Sequence, residues 1–457
     1  MREIRPASMV TAACLVVVLS YGAMAIRGDG GEIASRSTAR RSTDGLAAAP
    51  AAPLDVAAAP GSDGELERLI RDYERRIGEH TTPSDHRILG QLYLEQARRT
   101  GDPGAYARAD QAISRALELF PTDPEARVLK ATARYSVHDF SAALRIASRV
   151  YAEDPTHLEA LVVVGDAQLS LGRYDAAEDT YRTVAARAPK APELLVRLAR
   201  MAFLRNEPGE ARRLANLAAR SAAGTTSGSG LAWYRVFEGQ VAFDEGRYAE
   251  AERSFRSAID AYPRSAPAHA GLGRTYAALG RTGAAVDQYL KATRILPDPG
   301  WLATLGDLYA MSDRRELARR QYATVQAIAK LARANGRVYD RQLVLFYADH
   351  SVHRREALRL ASRELEVRRD VHGWDAYAWA LFADERYSEA RVASDRALAL
   401  GTPDANLWYH AGMISAAFGD RDRAIAELGR ALSLSPVFDP MQSARARATL
   451  ADLSEAA

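Results

Sequence analysis

The chain has 457 residues, of which 47% are hydrophobic and 26% are charged, as is ordinary for a folded protein. Its 61 basic and 58 acidic residues give a formal net charge of +3, which does not indicate a nucleic acid or an acidic substrate as partner. The one cysteine, Cys14, lies in an N-terminal apolar segment, so the folded part has no disulfide and no thiolate nucleophile.

Residues 1–26 have the pattern of an export signal. A short basic start precedes the 21 uncharged residues 6–26, and Ala23, Met24 and Ala25 fit the small-x-small pattern of a cleavage site. If it is not cleaved, this run is just long enough to span a bilayer. We therefore expect a signal peptide or an N-terminal membrane anchor, with the repeats outside the cytoplasm. Arginines also follow the segment, so a cytoplasm-facing orientation is left as an alternative.

Residues 27–62 are rich in Ala, Pro, Ser, Thr and Gly and contain few large apolar side chains. Such a segment cannot bury enough apolar surface to offset the loss of chain entropy on folding. We predict a disordered Ala/Pro-rich linker that holds the following repeats away from the membrane.

A pattern of small and aromatic residues then returns every 34 residues, which indicates stacked helical hairpins and not one globular core. The clearest unit spans 158–191 and carries, in order, Leu161, Gly165, Gly172, Tyr174, Ala177, Tyr181 and Pro189. Apolar residues on each side of Gly172 recur at three- and four-residue spacing, which predicts two amphipathic helices. We expect Gly165 and Ala177 to be small because the helices cross closely there, where overpacking costs about 1–3 kcal/mol.

These positions resemble the tetratricopeptide repeat, and the resemblance extends over roughly residues 83–438, with good matches at 232–265, 266–299 and 405–438. It implies an all-α, right-handed superhelical solenoid of antiparallel helix pairs, with about ten repeats. The chain is also similar to exported or membrane-anchored, actinobacterial-type tetratricopeptide repeat proteins of uncertain role. The resemblance implies a protein or peptide partner.

Departures from the period divide the chain. Thr225 begins a Ser/Gly-rich stretch that we interpret as a flexible joint at 225–231, between an N-terminal array at 63–224 and a C-terminal array at 232–456. Within the second array the unit at 325–370 is irregular, because a second helix is predicted to continue to about Asn335. Residues 440–456 are predicted to form a capping helix over the last repeat.

The sequence contains none of the short motifs that commonly carry catalysis. It has no Gly-rich phosphate loop, Gly-x-Ser-x-Gly elbow or His-Glu-x-x-His stretch. We therefore predict no catalytic residue, no cofactor and no small-molecule substrate, and we expect the protein not to be an enzyme.

In the family that the sequence resembles, the first helix of each hairpin lines the concave face. Helical spacing then places ten side chains on or near this face, where aromatic residues and arginines suit peptide binding. These groove candidates are Arg200, Phe203, Gln240, Phe243, Arg274, Asp307, Trp379, Phe382, Tyr409 and Met413. The alternative is that several of the aromatic residues pack between repeats.

The irregular unit supplies a second group of candidates, because functional sites often break a local rule. These candidates are Tyr339, Asp340, Tyr347, Asp349 and His350. His350 and His353 are three residues apart, so a helix would present both on one face as possible metal ligands. The alternative is a polar helix end beside Arg354, whose charge disfavours a cation.

Our first functional hypothesis is a non-enzymatic scaffold that binds a protein or peptide partner in its concave groove, outside the cytoplasmic membrane. The alternative is a membrane-complex assembly subunit that acts through its N-terminal anchor. A third hypothesis is a metal or ligand site in 339–353.

Overall fold

The computed structural model describes residues 62–100, 102–224, 226, 228–334 and 341–455. These residues form 22 helices and no strand. The segment predicted as signal or anchor, 1–26, lies outside the described residues, as does the predicted linker up to residue 61. No helix within the described ranges combines the length and the apolar character that crossing a membrane requires.

The helices form ten consecutive hairpins, as the all-α solenoid prediction requires, between a first helix α1 (Asp63–Glu79) and a last helix α22 (Gln442–Glu455). In chain order the pairs are α2 (Pro83–Thr100) with α3 (Pro103–Leu119), α4 (Pro124–Ser136) with α5 (Phe140–Glu153), α6 (Leu158–Ser170) with α7 (Tyr174–Ala185), α8 (Pro192–Leu204) with α9 (Pro208–Ala222), α10 (Gly228–Asp244) with α11 (Tyr248–Ala261), α12 (Ala266–Ala278) with α13 (Thr282–Ile295), α14 (Pro299–Met311) with α15 (Arg315–Ala334), α16 (Arg341–Asp349) with α17 (Arg354–Val367), α18 (Val371–Ala383) with α19 (Tyr387–Ala397), and α20 (Ala405–Phe418) with α21 (Arg421–Leu434).

Capping residues in the local sequence determine where these helices begin and end. Before α14, the Asp298 carboxylate accepts a hydrogen bond from the Trp301 N–H at 3.0 Å, and Pro299 occupies the first turn. Between the two helices of a hairpin the chain passes through the left-handed region, with φ of 74° at Gly172 and 71° at Gly280. A glycine at this turn therefore both ends the first helix and allows the second to fold back.

The small positions inside the hairpins have the role predicted for them. A Cβ added at Gly165 would lie 2.5 Å from the ring of Tyr181, and one added at Gly273 would lie 2.9 Å from the ring of Tyr289. Ala177, on the facing helix, is fully buried. The first helix therefore rests directly on an aromatic ring of the second, and the apolar core runs along the solenoid between successive helices.

Two of the predicted departures from the repeat can be compared with the bounds of the helices. Of the joint predicted at 225–231, residues 228–231 form the first turn of α10, which begins at Gly228. Glycine suits this place because an added Cβ would collide with the backbone carbonyl oxygen of Ala261. The long second helix of the irregular unit is present as α15, which has 20 residues and ends at Ala334.

Successive turns of the superhelix touch each other. The Arg369 N–H donates to the Ser170 carbonyl oxygen at 3.1 Å, and the Val371 N–H donates to the Tyr174 hydroxyl at 2.7 Å. Three further hydrogen bonds repeat this relation along the chain, from Thr402 to Leu204, from Val437 to Tyr248 and from Tyr262 to Asp63. The two residues of each hydrogen bond are 189 to 199 positions apart in the sequence. This separation corresponds to about six 34-residue repeats per superhelical turn.

Candidate binding cavity

A cavity of about 430 Å³ lies on the concave side of the second superhelical turn. The first helices of six consecutive hairpins, α10, α12, α14, α16, α18 and α20, contribute to its wall, together with Asp439 and Gln442 at the start of the last helix. The preceding turn adds Arg98 and Arg99 from α2 and Phe203 from α8. Contact between the two turns therefore narrows the concave groove into a chamber whose volume is typical of ligand pockets.

The chamber has an acidic wall. Seven aspartates line it, namely Asp244, Asp298, Asp307, Asp349, Asp375, Asp404 and Asp439. Three histidines lie among them, namely His350, His372 and His410. Aspartates at such density in a desolvated space repel one another and must be balanced by protons, by fixed cations or by a ligand.

Most of the arginines in the lining are already neutralised from outside it. Arg99 Nε lies 2.6 Å from Glu95, which also pairs with Arg98. Arg264 Nε lies 2.9 Å from Asp63. Neither Glu95 nor Asp63 lines the cavity, and these two carboxylates leave at most one of the three arginine charges to offset the seven lining aspartates.

Arg341 is neutralised in the same way, since its guanidinium lies 2.7 Å from Glu364, outside the lining. Arg274 is different, because its Nη1 lies 3.4 Å from Asp244, a lining residue. Its Nη2 donates to the Phe438 carbonyl oxygen at 3.3 Å, and the guanidinium carbon lies 4.0 Å from the centre of the Phe243 ring. Among the described arginines of the lining, Arg274 is thus the one that pairs with a lining carboxylate.

Histidine–aspartate pairs connect neighbouring first helices. Directly after α16, His350 Nε2 lies 2.8 Å from Asp307 on α14, which also accepts a hydrogen bond from the Tyr322 hydroxyl at 2.7 Å. His410 Nδ1 on α20 lies 2.9 Å from Asp375 on α18. Each pair joins one hairpin to the next, so the same side chains that line the cavity also hold its wall together.

Asp349 lies at the junction of three elements. It accepts hydrogen bonds from the indole N–H of Trp379 at 2.8 Å and from the Gln442 amide at 2.7 Å. Both donors are neutral, so neither balances the carboxylate charge. Asp349, predicted from sequence as part of the irregular unit, therefore connects α16 to α18 and to α22 at the cavity wall.

The burial of these carboxylates raises several of their pKa values. Burial raises the pKa of Asp244 to about 7 although Arg274 opposes the shift, and it raises the pKa of Asp298 and of Asp439 to about 6. Burial also raises the pKa of Asp349 above its usual range. The wall thus retains protons that ordinary aspartates lose near pH 4.

The pKa values of two other groups are determined by their hydrogen-bond partners. Burial alone would lower the pKa of His410, but the charge of Asp375 raises it above the usual histidine value. Burial alone would raise the pKa of Asp404, but hydrogen bonds from His372 and Asn406 hold it well below the usual range. Protons in the wall therefore concentrate on particular groups and are not shared evenly.

Half of the predicted groove candidates line the cavity. These five are Phe203, Gln240, Phe243, Arg274 and Asp307, which come from four consecutive first helices. The other five, Arg200, Trp379, Phe382, Tyr409 and Met413, are not among the lining residues.

Trp379 and Tyr409 illustrate why spacing misplaces some of these side chains. Both are 1% exposed, and the Trp379 ring stacks on Phe382 at 4.5 Å and on His410 at 4.2 Å. They pack between repeats, as the alternative interpretation expected, so their predicted place on the inner surface is wrong. A binding role for the five residues that line the cavity is still a prediction.

The irregular-unit candidates separate in a similar way. Asp349 and His350 line the cavity, whereas Tyr347 is buried in the core and contacts the His353 ring. Tyr339 and Asp340 lie outside the described residues. His350 is bonded to Asp307 and to a backbone carbonyl, and His353 does not join it at a common centre. Within the described part of the chain, no three His, Cys, Asp or Glu side chains form a group that could hold a metal ion.

Sequence reasoning missed several residues of the cavity wall. Asp244, Asp375 and His410 were not predicted, although Asp375 and His410 each lie in a mostly apolar first helix. A charged or titratable residue inside such a helix is a usable signal, because it needs a polar space or a partner at that point. Asp439 and Gln442 carry no comparable signal, since the wall includes them only through the superhelical fold.

Models of the tetratricopeptide repeat match residues 134–193, 238–298 and 405–438. No curated protein matches the sequence. Among solved structures, the chain is similar to the human IFIT1 dimer with PPP-AAAA, at 12% identity over 82% of this chain and 95% of that one, with a TM-score of 0.43. It is also similar to yeast Tom70, at 13% identity over 86% and 93%, with a TM-score of 0.34. A tetratricopeptide repeat protein from Parabacteroides merdae matches at 16% identity over 59% and 97%, with a TM-score of 0.38.

Proposed function

The chain is a tetratricopeptide repeat protein, and we propose that it is a non-enzymatic scaffold that holds a segment of a protein partner in the cavity on its concave side. Its repeat fold is typical of protein–protein interaction. Repeat solenoids bind along the concave surface that their curvature creates. The partner segment would thus contact several hairpins at once.

The cavity itself is the observation that carries this proposal. Its wall combines aromatic side chains such as Phe243 and Trp301 with polar groups such as Gln240, Thr304 and Asn406. Aromatic surface combined with polar groups that converge on one space is characteristic of binding pockets. Affinity would be concentrated in the few side chains that enter the chamber.

We test this proposal by selecting binders to the full chain from a displayed library of random peptides. Gln240→Trp places a large ring in the chamber, so we expect selected peptides to lose at least about tenfold in affinity. Val392→Trp is the matched control, because Val392 is 59% exposed on α19 and does not line the cavity. Peptides that bind both variants as well as the wild type would contradict the proposal, provided that both variants melt as the wild type does.

We further propose that the repeats act outside the cytoplasmic membrane, and this part rests on the sequence pattern of residues 1–26 alone. The alternative is a membrane-complex assembly subunit in which residues 1–26 are the working part. Replacing residues 1–26 by an unrelated cleavable signal separates the two. Retained function in the native host supports the scaffold, and lost function with normal export supports the anchor.

A further inference from the structure

We propose that the partner segment carries a cationic side chain, arginine or lysine, and that the aspartate-rich end of the cavity binds its charged group. This inference rests on the proposed function, since it names the chemistry of the segment that the cavity would hold.

The charges of the cavity lining do not balance one another. Arg98, Arg99 and Arg264 share two carboxylates outside the lining, and Arg341 pairs with Glu364, also outside it. At most one of these charges, together with Arg274 and three histidines, is left to face seven aspartates. Three of the aspartates, Asp298, Asp404 and Asp439, also accept backbone N–H groups at helix starts. The remaining four have no such helix-start role, and they lie on the inner helices.

These four are Asp244, Asp307, Asp349 and Asp375. Asp244 is paired with Arg274, Asp307 with His350 and Asp375 with His410. Asp349 accepts hydrogen bonds from neutral donors, Trp379 and Gln442. A carboxylate held in a desolvated wall by neutral donors retains its attraction for an added cation. Asp349 is therefore the residue best placed to bind the charged group.

One buried nitrogen atom in the same wall has no hydrogen-bond partner among the described residues. His410 is 3% exposed and lines the cavity, and its Nε2 has no hydrogen-bond partner among the described residues. Asp375 holds the proton on Nδ1, so when the imidazole loses its second proton at higher pH, Nε2 becomes an acceptor. Buried polar atoms rarely go unsatisfied in folded proteins. A guanidinium or ammonium group supplies the donors that this atom lacks.

The wall also holds protons that a bound cation could displace. The titratable groups whose charges act with Asp349 are His350, His410, Asp307, Asp439 and Tyr409. Burial raises the pKa of Asp349 and of Asp439, and neighbouring aspartates raise the pKa of His350 and His410. A bound cation would take the place of these protons. Binding should therefore strengthen with rising pH and release protons.

The test uses the full chain and capped pentapeptides that have arginine, citrulline or glutamate at the centre of four alanines. Citrulline has nearly the shape of arginine without its charge, so the comparison needs no change in the protein. By calorimetry near pH 7.5 we expect the arginine peptide to bind at least about tenfold more tightly than the other two. Its affinity should fall toward about pH 5.5, and proton release should appear as a dependence of the heat on the buffer.

Variants place the site within the cavity. Asp349→Asn keeps the size of the side chain and removes its charge, and we expect at least about tenfold weaker binding of the arginine peptide. Asp287→Asn is the matched control, because Asp287 is exposed on α13 and the change in net charge is the same. Equal affinity of the two variants, or equal binding of the arginine and citrulline peptides, would overturn the inference.

The outcomes separate this inference from the proposed function. If library peptides bind the cavity but arginine and lysine confer no advantage, the scaffold proposal stands and the cationic partner is wrong. If spermidine binds and no peptide does, the cavity takes a free amine and both proposals fail. If no peptide and no amine binds, both fail as well.

Discussion

Gly165 faces the Tyr181 ring inside the hairpin of α6 and α7, and the ring has little freedom to move away. The Tyr181 hydroxyl donates to Asp166 at 2.7 Å, and Asp166 also accepts from Arg197 Nε at 2.6 Å. This buried network fixes the ring against the helix backbone. Glycine at this position is therefore a requirement of packing, not of backbone conformation.

We expect Gly165→Ala to destabilise the protein by about 1–3 kcal/mol, because the added Cβ collides with the fixed ring. Gly429→Ala is the matched control, since Gly429 lies in α21 with no atom within 4 Å of an added Cβ. There the helix propensity of alanine should stabilise by up to about 1 kcal/mol. Urea unfolding of both variants measures the difference, and equal effects would contradict this account of the small positions.

Asp244 makes the stability of the protein depend on pH in a defined direction. Burial raises its pKa to about 7, whereas an unfolded aspartate has a pKa near 3.9. Between these values the folded state binds more protons than the unfolded state, so the free energy of unfolding falls as pH rises. His350 and His410 act in the same direction, since their pKa values are raised in the folded state.

Asn at position 244 carries no charge at any pH in this range. We therefore expect Asp244→Asn to reduce the loss of melting temperature between about pH 5 and pH 8, without abolishing it because the histidines remain. Melting curves of the wild type, Asp244→Asn and the exposed control Asp287→Asn measure this. A pH profile that is the same in all three proteins would show that Asp244 keeps an ordinary pKa.

At the scale of the helix, the sequence predicts the buried residues of the second helix of a hairpin better than those of the first helix. Second helices such as α7 have one apolar stripe, so the buried residues Ala177, Tyr181 and Val184 follow from spacing alone. First helices such as α18 are apolar around most of their circumference, so no stripe distinguishes the side facing the cavity from the side facing the next repeat. Trp379 was misplaced for this reason. The cavity could not be predicted, because it depends on how six repeats accumulate into one superhelical turn.

The last helix, α22, covers the exposed end of the solenoid and also reaches the cavity. Ala446 is fully buried, and Leu450 and Leu453 pack against the cluster that contains Leu428. Gln442 at its start donates to Asp349. The helix therefore stabilises the last hairpin through apolar contacts and fixes one cavity aspartate through a polar one.

Ending the chain after residue 440 removes α22 and exposes the apolar side of the last hairpin. Two partly buried leucines contribute roughly 1–3 kcal/mol, so we expect amide hydrogens of α21 to exchange at least about tenfold faster. The amides of α6, at a distance along the solenoid, are the internal control and should not change. Unchanged protection in α21 would mean that the last hairpin is stable without its cap.

For the molecule as a whole, contact between superhelical turns changes the expected energetics. In an open solenoid each repeat contacts only its neighbours, and stability is close to a sum of nearest-neighbour terms. Here hydrogen bonds such as Arg369 to Ser170 and Thr402 to Leu204 join repeats almost 200 residues apart. These contacts also close the chamber, so the stability of the turn-to-turn interface and access to the cavity are physically linked.

Gly172 allows a direct test of this interface. Gly172 and Gly280 have nearly the same φ, 74° and 71°, so alanine at either position incurs a similar backbone penalty of about 1–2 kcal/mol. An added Cβ at Gly172 would lie 2.5 Å from the Arg369 carbonyl oxygen in the adjacent turn, whereas at Gly280 nothing lies within 4 Å. The difference between the two variants therefore isolates the contact between turns.

We expect Gly172→Ala to destabilise the protein more than Gly280→Ala and to separate the two turns locally. The Arg369 and Val371 amides, which donate to Ser170 and Tyr174, should then exchange faster in Gly172→Ala but not in Gly280→Ala. Small-angle scattering should give a larger radius of gyration for Gly172→Ala, because a superhelix released at this contact can extend. Identical exchange and scattering in the two variants would mean that the turns do not hold each other in solution, and the chamber would then be an open groove.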